Sequence, residues 1–366
     1  MKPLVTALLQ SLRAIGCVLV ASLSTASSHA QKFEVLHEWQ GPEDGYYGRS
    51  GVIEVAPGVF MGVTSSGGLY GAGAVFKVNG DGSGYGILHY FDAVDMWFEL
   101  SPLCKASNNR VYGTTQIGGL NGLGIVYSVA ADGSDFTVVH NFAVSDGWAT
   151  PGGLMQASDG RLYGLASRGG FNSGGTIYSL NLDGSGFSVI HHMPSNSGFA
   201  HNPALLESPN GTLVGALVQG GVDGYGVLFS VQLDGSNFQV IRDLSPTAGA
   251  FLQDLILGPD GRLYGITNLG GANNYGSIFA VNRDGTGFIV LRELTDYLDY
   301  RDAKLATGGG RLFGAGPSNS SSMFSLNLDG SGYSTFFVEG SGPTGRLTIG
   351  LDGRVYGIRK PNGPYV

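Results

Sequence analysis

One short motif, an aromatic or apolar residue followed by glycine, returns along this chain at nearly constant intervals. It closes on Gly62, Gly113, Gly164, Gly215, Gly265, Gly314 and Gly357, with separations of 51, 51, 51, 50, 49 and 43 residues. Paired glycines keep step at Gly67–Gly68, Gly118–Gly119, Gly169–Gly170, Gly220–Gly221 and Gly270–Gly271. Asp-Gly turns recur at Asp81, Asp132, Asp183, Asp234, Asp284 and Asp329. A self-similar period of this length marks one supersecondary unit that buries its apolar faces against copies of itself. The same repeat accounts for the composition. Glycine supplies 63 of 366 residues, against about 7% in an average protein, and its regular spacing argues for turns rather than disorder.

Residues 154–193 show what one unit contains. LMQA is a short apolar strand, SDGR a tight turn, and RLYGLAS an alternating second strand. RGGFNSGG is a glycine-rich loop, TIYSLN a third strand, LDGSG a turn and FSVIHHM a fourth strand. Asp-Gly between alternating apolar runs is a strong hairpin signal, because these residues tolerate the positive φ that tight turns require. No helical period interrupts the pattern after residue 30. Four antiparallel strands per unit predict an all-β fold, a seven-bladed β-propeller.

The chain start fits that ring. Lys2 and Arg13, the apolar run Ala14–Leu23 and the small residues Ser28–Ala30 follow the order of a cleaved signal peptide, with cleavage before Gln31. A lipoprotein cut before Cys17 is the alternative. The next residues, QKFEVLHEW (31–39), copy the fourth strands YGILHYF (85–91), FTVVHNF (136–142), FSVIHHM (187–193), FQVIRDL (238–244) and FIVLREL (288–294). The last unit, from Leu347 to Val366, stops within its third strand. Residues 31–48 are therefore expected to close the last blade, making 31–366 one domain behind a 1–30 leader and leaving no open blade edge.

These units resemble the GloVer (Gloeobacter/Verrucomicrobia) repeats of exported bacterial proteins. The resemblance runs through DGRLYGLASRGG (159–170), GTIYSLNLDG (175–184) and VIHHM (189–193), and with varying strength through all seven units. It implies a secreted or cell-surface bacterial propeller and carries no activity with it. Members often have a C-terminal anchor, and the end at Val366 without one suggests free release or periplasmic residence. The sixth unit departs from the pattern, with AGPSNSSS (315–322) in place of the paired-glycine loop.

Charge and cysteine narrow the functional classes. Residues 1–30 hold two basic and no acidic residues, leaving 18 basic against 28 acidic, a net −10. That balance disfavours nucleic acid as a partner. Cys104 is the one cysteine after the leader, which excludes an intramolecular disulfide and a cysteine-held metal. No cofactor and no metal site are implied, no later stretch is long and apolar enough to cross a membrane, and oligomeric state is not legible. Four histidines in one fourth-strand register, His37, His89, His140 and His191, read as scaffold because they repeat.

A site is expected where the repeat breaks, on the loops and blade connections of one face. Tyr46, Trp97, Trp148 and Phe199 form an aromatic series in successive connections. They either plug the gaps between blades or stack on sugar faces. Two residues further on lie Gly48, Glu99, Thr150, His201, Phe251 and Arg301, a position that varies in chemistry. Arg168, His192 and His201 are polar departures around blades three and four. An arginine to neutralise a carboxylate and a histidine to take a proton are what β-elimination from a uronic acid requires. Arg49, with Arg359 and Lys360, forms a second basic set near the ring closure. Three readings follow: a propeller binding an extracellular ligand, carbohydrate foremost; a polysaccharide lyase with His201 or His192 as base and Arg168 as neutraliser; and a structural surface protein. Glu99 and Arg301 join the aromatics and Arg49 as candidate binding residues.

Overall fold

The computed structural model describes residues 17–22, 32–45, 48, 50–92, 101–150, 152–195, 205–295, 303–315, 322–337 and 343–359. They form antiparallel four-stranded sheets, with a single 3-10 turn at Pro42–Asp44. Two strands open the chain, β1 (Cys17–Ser22) and β2 (Lys32–Glu38). Blade one is β3 (Val52–Ala56), β4 (Val59–Thr64), β5 (Ala74–Asn79) and β6 (Gly86–Tyr90). Blade two is β7 (Cys104–Lys105), β8 (Arg110–Thr114), β9 (Ile125–Ala130) and β10 (Thr137–Asn141). Blade three is β11 (Leu154–Gln156), β12 (Leu162–Ala166), β13 (Thr176–Leu180) and β14 (Ser188–His192). Blade four is β15 (Leu206–Glu207), β16 (Thr212–Leu217), β17 (Val227–Gln232) and β18 (Gln239–Asp243). Blade five is β19 (Ala250–Leu257), β20 (Leu263–Leu269), β21 (Ser277–Val281) and β22 (Ile289–Glu293). Blade six is β23 (Leu305–Gly308), β24 (Arg311–Ala315), β25 (Ser322–Asn327) and β26 (Ser334–Phe337). The chain ends its described part with β27 (Pro343–Ile349) and β28 (Val355–Arg359).

The fold is a β-propeller of four-stranded antiparallel blades. Six blades are each built from four consecutive strands, where seven blades were expected. The remaining sheet is composite and has the order β2-β1-β28-β27. Its second member, β1, comes from the apolar run read as the leader, and pairs Val20 with Tyr356 of β28 and with Glu34 of β2. That corrects the expected make-up of this sheet, whose third strand was assigned to the residues before Val366. An apolar run without a helical partner pairs readily with exposed strand edges on both sides. On the inner side β27 lies against both β23 and β3. The composite sheet thus stands between blades six and one.

The repeat glycine now has a physical reason. Gly62, Gly113, Gly164, Gly215, Gly265 and Gly314 sit opposite Phe76, Tyr127, Tyr178, Phe229, Phe279 and Phe324 on the third strand. In each case a Cβ on the glycine would overlap that ring. The rings are buried, and the apolar core is divided into clusters shared by two adjacent sheets. Trp39, Phe60, Phe76 and Tyr356 form the cluster joining the composite sheet to blade one.

Fourth strands carry a bulge at Leu88, Val139, Ile190, Ile241 and Leu291, and β2 has one at Leu36. The next blade's Asp-Gly turn approaches this bulge closely. A Cβ on Gly184 would strike the Val139 carbonyl, and one on Gly82 the Leu36 carbonyl. Beside each bulge a flat cationic or imidazole side chain stacks on the following blade. His37 lies on Tyr85 at 3.6 Å, His89 on Phe136 at 3.6 Å, His140 on Phe187 at 3.8 Å and His191 on Phe238 at 4.1 Å. Arg242 and Arg292 continue the series over Phe288 and Tyr333 at 3.9 and 4.3 Å. The repeated histidines are inter-blade spacers, and β2 makes the contact of an ordinary fourth strand with blade one.

Candidate functional site

Second-to-third-strand loops and blade connections meet on one face, held by the paired glycines. The N–H groups of Gly68, Gly170 and Gly271 donate to Pro42, Val144 and Pro246 carbonyls of the connections at 2.7, 2.9 and 2.7 Å. In blade three the connection also bridges the loop directly, since Trp148 and Arg168 exchange backbone hydrogen bonds at 2.9 and 3.1 Å. The Arg168 guanidinium stands 5.1 Å from the Trp148 ring centroid, a cation–π pair on the rim of this face. Trp148 is half-buried and Arg168 exposed. The tryptophan therefore has a packed edge and some accessible surface.

His192 lies on the same end of blade three. Its Nδ1 accepts the Phe171 N–H at 3.1 Å, which leaves its proton on Nε2. The strands leading to Arg168 and carrying His192 are β12 and β14, two apart in the sheet, and hence separated by roughly 10 Å of backbone. The structure gives these two side chains different partners, Trp148 and Phe171. Tyr46, Arg49, Trp97, Glu99, Phe199, His201 and Arg301 lie outside the described residues, as does Lys360. Among the described residues no group of three or more His, Cys, Asp and Glu is placed to hold a metal.

A second set of charged groups lies deeper, on the inner strands. Asp254 of β19 is fully buried, Lys304 just before β23 is 3% exposed, and Arg346 belongs to β27. Asp254 accepts the Leu305 N–H on Oδ2 at 2.9 Å, and Arg346 faces its Oδ1 at 3.7 Å. Lys304 Nζ donates to the Gln253 carbonyl at 3.0 Å. Asp254 Oδ1 and Arg346 Nε have no hydrogen-bond partner. Two cations and one anion thus sit on three successive inner strands below the rim. Burial pushes the nearby Cys104 thiol up to about 11, with the Gln156 backbone and the Arg346 charge opposing that rise. Cys104 packs against the core cluster shared by blades two and three.

The Gloeobacter/Verrucomicrobia repeat profile matches residues 47–253 and 150–365. The chain belongs to this repeat family. No curated protein matches the sequence. Among solved structures the GloVer-repeat chain is similar to the extracellular domain of BT4673 from B. thetaiotaomicron, at 10% identity and TM-score 0.59. That match covers 89% of this chain and 41% of the other. It is also similar to YCF48 bound to D1 peptide, at 12% identity and TM-score 0.51, covering 88% and 96%. The chain spans well under half of BT4673's domain and 26% of the tricorn protease, another match. At these identities the likeness concerns the propeller fold.

Within the family pattern, the inner-strand charges were visible in the sequence but not marked by it. The residue before the first apolar position of the inner strand is Gly51, Pro102, Gly153 and Ala204 in the first four units, then Asp254, Lys304 and Arg346. Small residues are required where that position abuts the neighbouring strand, as Gly51 abuts the Arg346 carbonyl. A register comparison would have found the switch to charge. Their convergence required the ring.

Proposed function

We propose that this protein is exported after cleavage before Gln31 and binds an extracellular carbohydrate through the loop face of its ring. The observation that carries the reading is the Trp148–Arg168 pair, an aromatic surface with a cation on its rim. Such a pair suits the apolar face of a sugar ring and a polar substituent beside it. A further element of the proposal is a seventh blade in the mature ring, closed by residues 31–48. The likeness to an extracellular domain supports an extracellular setting, as does the family. Among the described residues no helix is long and apolar enough to cross a membrane.

Elimination chemistry would need Arg168 and a histidine at one reacting centre. The Arg168 guanidinium lies by Trp148 while His192 takes the Phe171 N–H, and this difference in partners favours binding over a lyase. The test exposes the purified chain to a panel of neutral and uronic-acid polysaccharides, reading affinity and the absorbance of unsaturated uronate together. Trp148→Ala is expected to weaken binding about 5- to 10-fold, the scale of one lost stacking contact, without absorbance rising on any member. Affinity untouched by both Trp148→Ala and Arg168→Ala would sink the proposal.

A further inference from the structure

On the opposite end of the blades, where first and second strands are joined, the repeat fails between blades four and five in three ways; blade one, with Val59 and Met61, also departs from it. The second strand normally opens with an arginine: Arg110, Arg161, Arg262, Arg311 and Arg354. That arginine ties its own blade together. Arg161 donates to Asn181 Oδ1 at 2.7 Å, Ser179 Oγ at 3.0 Å and the Gly186 carbonyl at 2.7 Å. Arg311 makes the matching set with Asn327, Ser325 and Gly332. Blade four has Thr212 there.

Two residues later the repeat places a tyrosine that crosses to the next blade. Tyr112 donates to the Leu182 carbonyl at 2.8 Å, whereas Tyr163 and Tyr264 donate to Asp159 and Asp260 at 2.7 Å with the Leu233 and Leu328 carbonyls of the next blade 3.4 Å away. Phe313 keeps a ring in blade six, and Met61 a long chain in blade one. Blade four has Val214, packed against blade five but with no hydroxyl to reach the neighbouring carbonyl. The carbonyl-bearing residue of that neighbour has changed as well. It is Leu182, Leu233 and Leu328 opposite Tyr112, Tyr163 and Tyr264, Ala131 opposite Met61, and Arg283 opposite Val214.

These three departures face one another. Between blades four and five they leave a groove of about 760 Å³, lined by Thr212, Val214, Ser230, Gln232, Gln239 and Arg283 among others. Its volume is in the range of small-ligand sites, commonly about 300–1,000 Å³. Gln239 Nε2 donates to Ser230 Oγ at 3.2 Å, taking up one of the acceptors that an arginine serves elsewhere. The Arg283 Nε is buried and has no hydrogen-bond partner.

The lining chemistry defines the ligand class. Amide and hydroxyl side chains each donate and accept, which matches the hydroxyl groups of a sugar. One arginine is balanced by Asp284 at the groove edge, so no excess charge calls for a phosphate or a polyanion. Val214, Val240 and Ile241 supply a small apolar strip for the C–H face of a pyranose.

We propose that the groove between blades four and five is a binding site for a neutral mono- or disaccharide unit, separate from the loop face. The site arises because Thr212 and Val214 vacate the space of the repeat arginine and tyrosine while Arg283 adds donors.

The test titrates the full chain calorimetrically with maltose, cellobiose and lactose. Val214→Tyr and Thr212→Arg each restore the family pattern and fill the groove. Arg283→Leu restores the leucine and removes the donors. At least one disaccharide is expected to bind, with affinity lowered tenfold or more in Val214→Tyr and in Arg283→Leu. Thr212→Arg, at a half-buried position, serves if Val214→Tyr does not fold. The proposal is overturned if none of the three sugars binds, or if binding survives the filling variants. Loss confined to Trp148→Ala would place the sugar on the loop face and overturn it equally. Failure of the loop-face reading leaves the groove outcome unaffected.

Discussion

At the residue scale, the Asp-Gly turns show how one local geometry sets a solution property. Asp81, Asp183, Asp284 and Asp329 each accept both the N–H and the hydroxyl of the Ser or Thr two residues on. Those bonds favour the ionised carboxylate and hold each of these groups below the usual range, as they do Asp132 and Asp234. His37 and His191 are lowered for a different reason, burial beneath the stacked rings; the neighbouring His192 adds to it at His191, while Asp44 and Glu38 oppose it at His37. A depressed folded pKa means stability that is complete above the unfolded value and lost as pH falls through the folded one. The histidine contribution is thus expected to decline first, below about pH 6.5, and the aspartate contribution below about pH 4. Thermal unfolding followed from neutral to acid pH should show two successive falls in midpoint. Replacing His191 with Gln should remove part of the first and none of the second. A midpoint that rises on acidification through the histidine range would contradict the burial cause.

At the element scale, the second-strand glycine and third-strand ring form the unit that recurs. Gly164 lies opposite the fully buried Tyr178, and its missing side chain is what admits the ring. Gly164→Ala should destabilise by roughly 1–3 kcal/mol, the usual scale for overpacking. Gly86 on β6 provides the comparison, since a Cβ there meets nothing within 4 Å. Gly86→Ala should change stability by less than about 0.5 kcal/mol. Denaturant titration of the two variants separates a packing role from a general glycine effect, and shortening Tyr178 to Leu should recover part of the loss in Gly164→Ala. Equal losses in both single variants would deny the packing account. This pairing was legible as spacing, since in six units the LYG-type glycine precedes a third-strand Phe or Tyr, by 14 residues in five of them and by 10 in the sixth. Its cause was not, because the register between two strands joined by a ten-residue loop cannot be read from either strand alone.

At the scale of the whole molecule, the composite sheet meets blade one through contacts made by β2, and the proposed closure rests on them. Leu36 packs its carbonyl against Gly82 and His37 stacks on Tyr85, as inner fourth strands do with their own neighbours. His37→Ala should cost about 1 kcal/mol, comparable with His89→Ala, because each loses one flat contact. The two should differ in consequence: limited proteolysis near the chain start should accelerate in His37→Ala and not in His89→Ala. Equal protease resistance would mean that β2 does not carry the closure. The Thr348 hydroxyl donating to the Val52 carbonyl and Leu351 N–H donating to Glu54 at 2.7 Å tie the inner part of the same junction.

The sequence by itself determined the strands, their order within six blades, and the scaffold role of the repeated histidines and glycines. These follow from spacing, because a period near 50 repeats the same local hydrogen bonds and the same bulge. It also displayed the breaks, NGTLVG in blade four and the change from small to charged residues at Asp254, Lys304 and Arg346, without saying what they do. Only the tertiary structure decided that β1 lies between β28 and β2, that Arg346 faces Asp254, and that Thr212, Val214 and Arg283 bound one groove. Each of those contacts joins residues from different blades, or the chain's beginning to its last strands. Neighbours of that kind are fixed by the curvature and closure of the ring, which no local pattern encodes.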